Sequence, residues 1–110
     1  MFFMPPATIV ETIVSELDDA NTHMLHGVED REAMVQFHLT VGRALRNRFG
    51  LWNTENPFTH TGMGVAFDDP LHPDNLSGAI LECVWDRVVG GIPASFVQDK
   101  LAELHEKEAS

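Results

Sequence analysis

Hydrophobic residues recur at helical spacing in four stretches of the chain. The first stretch follows Pro5-Pro6, and polar residues separate its apolar positions, which are Ile9, Val10, Ile13, Val14 and Leu17. This spacing is typical of one face of an amphipathic helix and not of a strand. Proline is well tolerated in a first helical turn, so we predict that the first helix begins there. The pattern weakens at Asp18 and Asp19, and Gly27 marks a loop.

The longest pattern predicts a second helix that runs without a break from Glu29 or Asp30 to Phe49. Its apolar positions are three or four residues apart, and they are Met34, Phe37, Val41, Leu45 and Phe49. Glycine in a helix interior costs about 1 kcal/mol relative to alanine, so Gly42 indicates that another backbone packs closely there. Gly50 is a left-handed C-terminal stop. We expect this helix to be central and largely buried.

A third helix is predicted to begin at Pro73-Asp74-Asn75, because proline and Asp or Asn favour a first helical turn. Gly90-Gly91 ends this helix, and Pro93 opens a fourth. Their inward positions are Leu76, Ile80, Cys83 and Val84 in the third helix, and Phe96, Val97, Leu101 and Leu104 in the fourth. The sequence therefore predicts an all-α fold, a small bundle of four main helices in one domain over residues 1–110. We expect residues 1–5 and 106–110 to fray.

A long, aromatic-rich loop separates the second and third predicted helices. It spans residues 51–72 and contains Trp52, Phe58 and Phe67. A loop of this length is rarely a passive connector in a compact domain. Aromatic side chains in such a loop usually fold back onto the core, and we expect them to do so here.

The composition is that of a folded protein with a marked excess of acid. The 110 residues and 12.3 kDa suit one domain, and 17 Asp and Glu against 7 Lys and Arg give a net charge of -10. This balance disfavours nucleic-acid binding, which requires cations at the phosphates. No apolar run approaches the roughly 18 residues of a membrane span, and the first four residues lack the basic region of a signal peptide. The lone Cys83 suits a reducing compartment, so we expect a cytoplasmic protein.

The charge is unevenly distributed along the chain. Residues 31–50 carry a net charge of +3, because Arg43, Arg46 and Arg48 lie near the end of the second predicted helix, whereas residues 51–75 carry -4. One hypothesis is structural: at least one of these arginines pairs with Asp68, Asp69 or Asp74. The other is functional: the arginines hold a phosphate or carboxylate. Arg43 and Arg46 share a helix face, whereas Arg48 points elsewhere.

Known chemical motifs are weak in this chain. Gly62-Met63-Gly64 lacks the third glycine and the strand–helix context of a dinucleotide-binding turn. His60 and His72 could converge with Asp68 or Asp69, but no zinc signature is present, so we expect no metal and no cofactor. Cys83 is best interpreted as a core filler. We assign no catalytic residue, and enzyme activity is the less favoured hypothesis.

Two segments resemble a family of small uncharacterised bacterial and phage-borne domains. The first runs from His38 to Trp52 with the pattern H-x-x-x-G-x-x-[IL]-R-N-x-[FW]-G-L-W, and the second is His72-Pro73-Asp74-Asn75-Leu76-Ser77, with the pattern H-P-D-[DN]-x-S. The resemblance covers about residues 34–88 and implies no activity. It implies the position of a binding site, which would comprise Arg43, Arg46, Asn47, Trp52, His72 and Asp74.

We therefore predict a small acidic protein that acts by binding a macromolecule, namely another protein. Acidic inhibitors carried by phages or mobile elements, and mimics of nucleic acid, belong to this class. The alternative is an enzyme or an anionic-ligand-binding module that uses the corner of Arg, His and Asp residues between the second and third predicted helices. Arginines saturated by internal carboxylates favour the first hypothesis, whereas a cleft with unpaired arginines favours the second. The sequence does not indicate the oligomeric state.

Overall fold

A computed structural model describes residues 3–37, 40–61 and 65–109. These residues form five α-helices and one 3-10 helix, and no strand occurs within the described ranges. The helices are α1 (Pro6–Glu16), α2 (Asp19–His26), the 3-10 helix (Arg31–Phe37), α3 (Val41–Arg48), α4 (Pro73–Val88) and α5 (Ala94–Ala109). The all-α prediction is confirmed. His38 and the Gly62-Met63-Gly64 segment lie outside the described residues.

Helix α4 is the centre of the fold, and each of the other helical segments except α5 packs mainly against it. Its inward side chains Leu76 and Ile80 are fully buried, and they meet Ile9 and Val10 of α1, which are no more than 1% exposed. Helix α5 packs on both α1 and α4. The inward positions predicted from helical spacing in the third and fourth helices are buried where the structure describes them: Leu76, Ile80, Cys83, Val84, Val97 and Leu101. Phe96 is the exception, being 54% exposed.

The prediction of an unbroken second helix from Glu29 or Asp30 to Phe49 is wrong. The range contains the 3-10 helix and the separate helix α3, with a turn residue at Thr40. The 3-10 helix has three residues per turn, which places Met34 and Phe37 on the same side, facing α4. Weak helix formers at Thr40, Val41 and Gly42 favour a break there. Val41, predicted to be in the core, is 43% exposed, whereas Leu45 is buried as predicted.

Helix α2 was not predicted, although the sequence carries its start signal. The Asp18 carboxylate accepts a hydrogen bond from the Asn21 N–H at 2.8 Å and so caps the helix. Only Leu25 is buried in this helix, so its apolar periodicity is too short to predict a helix.

Two ion pairs join α1 and α5 to the C-terminal half of α4. Arg87 forms two hydrogen bonds to the Glu11 carboxylate, each 2.7 Å long, and a third to the Ile92 carbonyl. The Lys100 ammonium lies 3.2 Å from the buried Asp86 carboxylate. These contacts fix the helices around the core. Among the described residues, no helix is long and apolar enough to cross a membrane.

Candidate functional site

Arg46 forms a bridge from α3 to the first turn of α4. Its Nη1 donates a hydrogen bond to the Ser77 hydroxyl at 2.9 Å, and its Nε lies 3.4 Å from an oxygen of Asp74. Ser77 is fully buried, and its hydroxyl donates to the Asp74 carbonyl at 2.9 Å. We call Arg46, Asp74 and Ser77 the clasp. The predicted pairing of one arginine with a carboxylate at the start of the third predicted helix is confirmed.

Gly42 provides the space in which the Arg46 side chain lies. A Cβ atom on Gly42 would be 3.1 Å from Nη1 of Arg46 and 3.7 Å from a methyl carbon of Leu81. The carbonyl oxygen of Phe37 is also 3.7 Å from that position, so a backbone atom does approach Gly42 as predicted, although the closest atom belongs to the Arg46 side chain. Residues four apart lie one above the other on a helix, which is why Arg46 can fold back over Gly42.

His72 caps α4 through its imidazole ring. The ring Nδ1 accepts a hydrogen bond from the Asp74 N–H at 3.1 Å, which requires that this nitrogen carries no proton. Trp52 contacts the same ring edge-on, with centroids 5.4 Å apart, and Phe67 lies 6.2 Å away with its ring tilted. We call Trp52, Phe67 and His72 the aromatic surface. Polar atoms of His72 hold the helix start, while its ring joins two aromatic side chains of the loop.

The aromatic side chains of the loop do not all fold back onto the core. Trp52 is 50% exposed and Phe67 is 91% exposed, so the prediction that they plug the core is wrong. Leu51 and Leu71 are buried instead, each only 1% exposed. The two leucines anchor the ends of the loop, which turns the neighbouring aromatic rings outward.

A network of hydrogen bonds around Asp69 holds the second half of the loop against α4. One carboxylate oxygen accepts the Leu71 N–H at 2.8 Å, and the other lies 3.0 Å from Nδ1 of His60. The Asn75 amide donates to the carbonyls of Phe67 and Asp69 at 2.6 Å and 2.8 Å. Burial alone would raise the pKa of Asp69, but the His60 and Leu71 hydrogen bonds hold this pKa below its ordinary value. The loop is thus pinned at the point where it presents Phe67.

The first half of the loop is held by a buried amide. The Asn56 amide donates to the Gly50 carbonyl at 3.1 Å, and its oxygen accepts the Phe58 N–H at 2.8 Å. Gly50 has φ of +65°, which confirms the left-handed stop predicted at this position. This turn positions Trp52, two residues later, beside His72.

Four of the six predicted site residues come together: Arg46, Asp74, His72 and Trp52. Arg43 and Asn47 are exposed on α3, and Asn47 lines a depression that also includes Phe3 and Phe49. Arg48 forms an exposed ion pair with Glu16 of α1, consistent with the prediction that it points elsewhere. Sequence reasoning missed Ser77 as a hydrogen-bonding partner of Arg46 and Asn75 as a partner of the loop carbonyls.

The clasp directs its donors inward. The Arg46 side chain is 9% exposed, and both its Nη1 and its Nε are engaged by groups of α4. Among the described residues, no group of three or more His, Cys, Asp or Glu side chains is arranged to hold a metal ion. Cys83 is buried in the core, as the interpretation of a core filler requires. The Arg46 donors are therefore turned away from solvent, whereas the Phe67 and Trp52 rings nearby are exposed.

The comparisons with known proteins bear on the same region. A family model described as "Domain of unknown function (DUF6794)" matches residues 6–88, a range that begins with α1 and ends with the last residue of α4. The searches of curated proteins and of solved structures found no match to the chain. The matched range contains the clasp and the aromatic surface, and by this match the chain belongs to the DUF6794 family, a family of unknown function.

Proposed function

We propose that this chain is a protein-binding domain and that its partner docks on the aromatic surface. The observation that carries the proposal is the exposure of Phe67 and Trp52 on either side of His72. Aromatic side chains are enriched at the centres of protein interfaces, where burying a large apolar ring contributes strongly to affinity. A partner that covers both rings removes from water an apolar area that the folded chain leaves exposed.

The surroundings of the aromatic surface support a preformed binding site. The Asn75 amide donates a hydrogen bond to the Phe67 carbonyl. The Asp69 carboxylate is hydrogen-bonded to the His60 ring and to the Leu71 N–H. Binding costs less when the contacting loop is already ordered. The polar residues of this region therefore act as a support, and the exposed rings provide the contact.

The charge around the aromatic surface favours a basic partner. Asp68, next to Phe67, and Glu55, in the Trp52 half of the loop, are exposed, and the Asp74 side chain is 43% exposed. With a net charge of -10, the chain attracts a basic surface at long range and speeds encounter with it. A cytoplasmic protein with a basic nucleic-acid-binding groove is such a partner, which would make this chain an inhibitor or a nucleic-acid mimic.

The position of Arg46 weighs against the alternative of an enzyme or an anionic-ligand module. An anion site needs donors that face solvent, whereas the Arg46 donors face Ser77 and Asp74 within the fold. An incoming phosphate would have to displace Asp74, a group of the same charge. We therefore do not propose this alternative.

Capture from a lysate of the native host with matched variants tests the proposal. The variants are Phe67→Ser and Trp52→Ser, and the control is Phe96→Ser, which removes another exposed ring (54%) from α5. The removed rings are at least half exposed, so each variant should fold, as urea unfolding would check. Quantitative mass spectrometry then compares the proteins retained by each form.

We expect one retained protein to fall by about tenfold or more with Phe67→Ser, because interface hot spots contribute about 2 kcal/mol or more. The same protein should be retained normally by Phe96→Ser. Equal retention by all forms would contradict binding at the aromatic surface. Titration of the purified partner by calorimetry would then give the dissociation constant for each variant.

A further inference from the structure

A second open surface lies beside the other half of α4. It is an apolar groove of about 290 Å³ between α1, α2, the 3-10 helix, α3 and α4, and nine of its ten lining residues are apolar. Its floor consists of buried core side chains, namely Leu25, Met34, Leu81 and Val84. Its rim includes Met24, 45% exposed, and Val41, 43% exposed. We call this feature the apolar groove.

The apolar groove is separate from the aromatic surface. Leu81 and Val84 follow Asp74 by seven and ten residues on the same helix. At about 1.5 Å per residue, they lie about 10–15 Å further along the α4 axis than the clasp. No residue of the aromatic surface lines the groove.

The groove has the shape and lining that suit a few apolar side chains of a helix. Its volume of about 290 Å³ is just below the range of about 300–1,000 Å³ for ligand pockets, so it has room for a few side chains. Met24 and Met34 both line it, and methionine adapts readily to side chains of different shape. Helices that dock in such grooves insert apolar residues spaced three and four apart.

The negative charge beside the groove favours a positively charged ligand over a negatively charged one. Residues 17–41, which supply seven of the ten lining residues, contain five acids and one cation, Arg31, whereas Glu11 and Glu16 of α1 pair with Arg87 and Arg48. Exposed carboxylates lie at the start of α2 and around the 3-10 helix: Asp18, Asp19, Glu29, Asp30 and Glu32. Among the side chains that the structure describes, none of these forms an ion pair with Lys or Arg. A fatty acid would bring a carboxylate into this field, and a second copy of the chain would bring a net charge of -10.

We propose that the apolar groove binds a basic amphipathic helix of a partner protein. Apolar side chains of that helix enter the groove, and its Lys and Arg residues face the carboxylates of α2 and the 3-10 helix. This inference is independent of the aromatic surface, because the two regions share no residue. The partner need not be the protein that docks on the aromatic rings.

A synthetic helix tests the proposal directly. The probe is an 18-residue peptide with leucines at positions i, i+4, i+7 and i+11 and lysines on the other face. One control peptide has the same composition in scrambled order, and another has glutamates in place of the lysines. Laurate is the lipid probe. Binding to the full chain is measured by calorimetry and located by amide chemical shifts.

The protein variants separate the groove from the rest of the surface. Met24→Ser and Val41→Ser are combined to remove apolar area from the rim, and Val35→Ser is the control, because Val35 is 73% exposed and does not line the groove. Urea unfolding of each variant checks that it folds, and either single rim variant can replace the double variant if the latter does not.

We expect the lysine peptide to bind, to shift amides of the groove, and to lose affinity by about tenfold or more in the double variant but not in Val35→Ser. Phe67→Ser should leave this binding unchanged, which keeps the test distinct from that of the aromatic surface. The proposal is overturned if the lysine peptide does not bind, if the scrambled peptide binds equally, if the rim variants have no effect, or if laurate or the glutamate peptide binds more tightly.

Discussion

The two halves of α4 present opposite kinds of surface. At its N-terminal end, the clasp satisfies its polar groups internally, and the aromatic surface stands beside it on a loop pinned by Asp69 and Asn75. In its C-terminal half, Leu81 and Val84 form part of the floor of an apolar groove with only one polar residue, Asn21, in its lining. Near the N-terminal end the Arg46 donors face the fold and exposed aromatic rings stand beside them, whereas an apolar groove opens beside the C-terminal half.

This difference shows which residues are available for binding. Arginine and aspartate attract attention in the sequence, but here Arg46 donates a hydrogen bond to Ser77 and pairs with Asp74 within the fold. Phe67, Trp52, Met24 and Val41 are hydrophobic and remain exposed to solvent. Polar groups that are hydrogen-bonded within the chain stabilise the fold. Exposed apolar groups favour binding, because covering them with a partner removes apolar surface from water.

Helix α3 connects the two regions. We expect the largest loss of stability from truncation of its buried residue Leu45. Leu45 is 4% exposed and lies one turn after Val41 of the groove and beside Arg46 of the clasp. Leu45→Ala should lower the free energy of unfolding by about 2–5 kcal/mol, because it leaves a cavity in the core. Urea unfolding measures this. A loss under about 1 kcal/mol would show that α3 is not packed as described.

The contribution of Asp69 to the loop that carries the aromatic surface should depend on pH. Its side chain is 15% exposed, and Asp69→Asn should cost about 1–3 kcal/mol at neutral pH, since a charge-assisted hydrogen bond to His60 is lost. The pKa of Asp69 is lowered in the folded chain, so this stabilisation is complete above the unfolded pKa of about 4. It disappears as the pH falls through the lowered folded value.

The measurement is urea unfolding of the wild type and Asp69→Asn at several pH values between neutral and strongly acidic. The difference in stability should be largest at neutral pH and shrink on acidification. A difference that is constant over this range would mean that the Asp69 charge contributes nothing to the loop.

Gly42 lies where the two regions meet, between Arg46 of the clasp and Leu81 of the groove. Gly42→Ala gains at most about 1 kcal/mol of helix propensity, because Gly42 is only the second residue of α3, and the new methyl group presses on the Arg46 guanidinium. We expect little or no stabilisation in the wild type and a gain of about 0.5–1 kcal/mol in an Arg46→Ala background, where the space is open. An equal gain in both backgrounds would place the guanidinium elsewhere.

The smallest effect is expected at the exposed pair of Arg48 and Glu16. Arg48 is on the same helix as Arg46, but its side chain is 55% exposed and its partner is 42% exposed. Arg48→Gln should leave the urea midpoint almost unchanged, because exposed ion pairs are screened by water and salt. A loss comparable to that of Arg46 variants would contradict the distinction between a buried clasp and a surface pair.

The ends of helices were predicted correctly where they depend on a few neighbouring residues. Pro73, Asp74 and Asn75 placed the start of α4, and Gly50 placed the end of α3, because both depend on backbone preferences of a few residues. The opposite charges of residues 31–50 and 51–75 predicted that at least one of three arginines pairs with an aspartate of the second segment, and Arg46 does so with Asp74. Helical spacing could not show that the range from Asp30 to Phe49 divides, since a 3-10 segment keeps the same apolar positions facing the core.

The orientation of the loop could not be predicted in the same way. Phe67 is as hydrophobic as a core residue, and composition alone favours its burial. Its exposure results from hydrogen bonds of Asn75 and Asp69 to loop backbone atoms, which are set by the tertiary fold. The apolar groove likewise arises from five helical segments, and no single segment reveals it.

The central claim is that Arg46 and Asp74 stabilise the fold by contacting each other in the clasp. A double-mutant cycle of Arg46→Met and Asp74→Asn tests this claim most directly. Urea unfolding of the wild type, both single variants and the double variant gives the coupling energy. We predict that each single variant is destabilised and that the coupling is about 1–3 kcal/mol, as for contacting charged residues of which one is buried. A coupling energy near zero would contradict the clasp, and Arg46 would then be available to bind an anion.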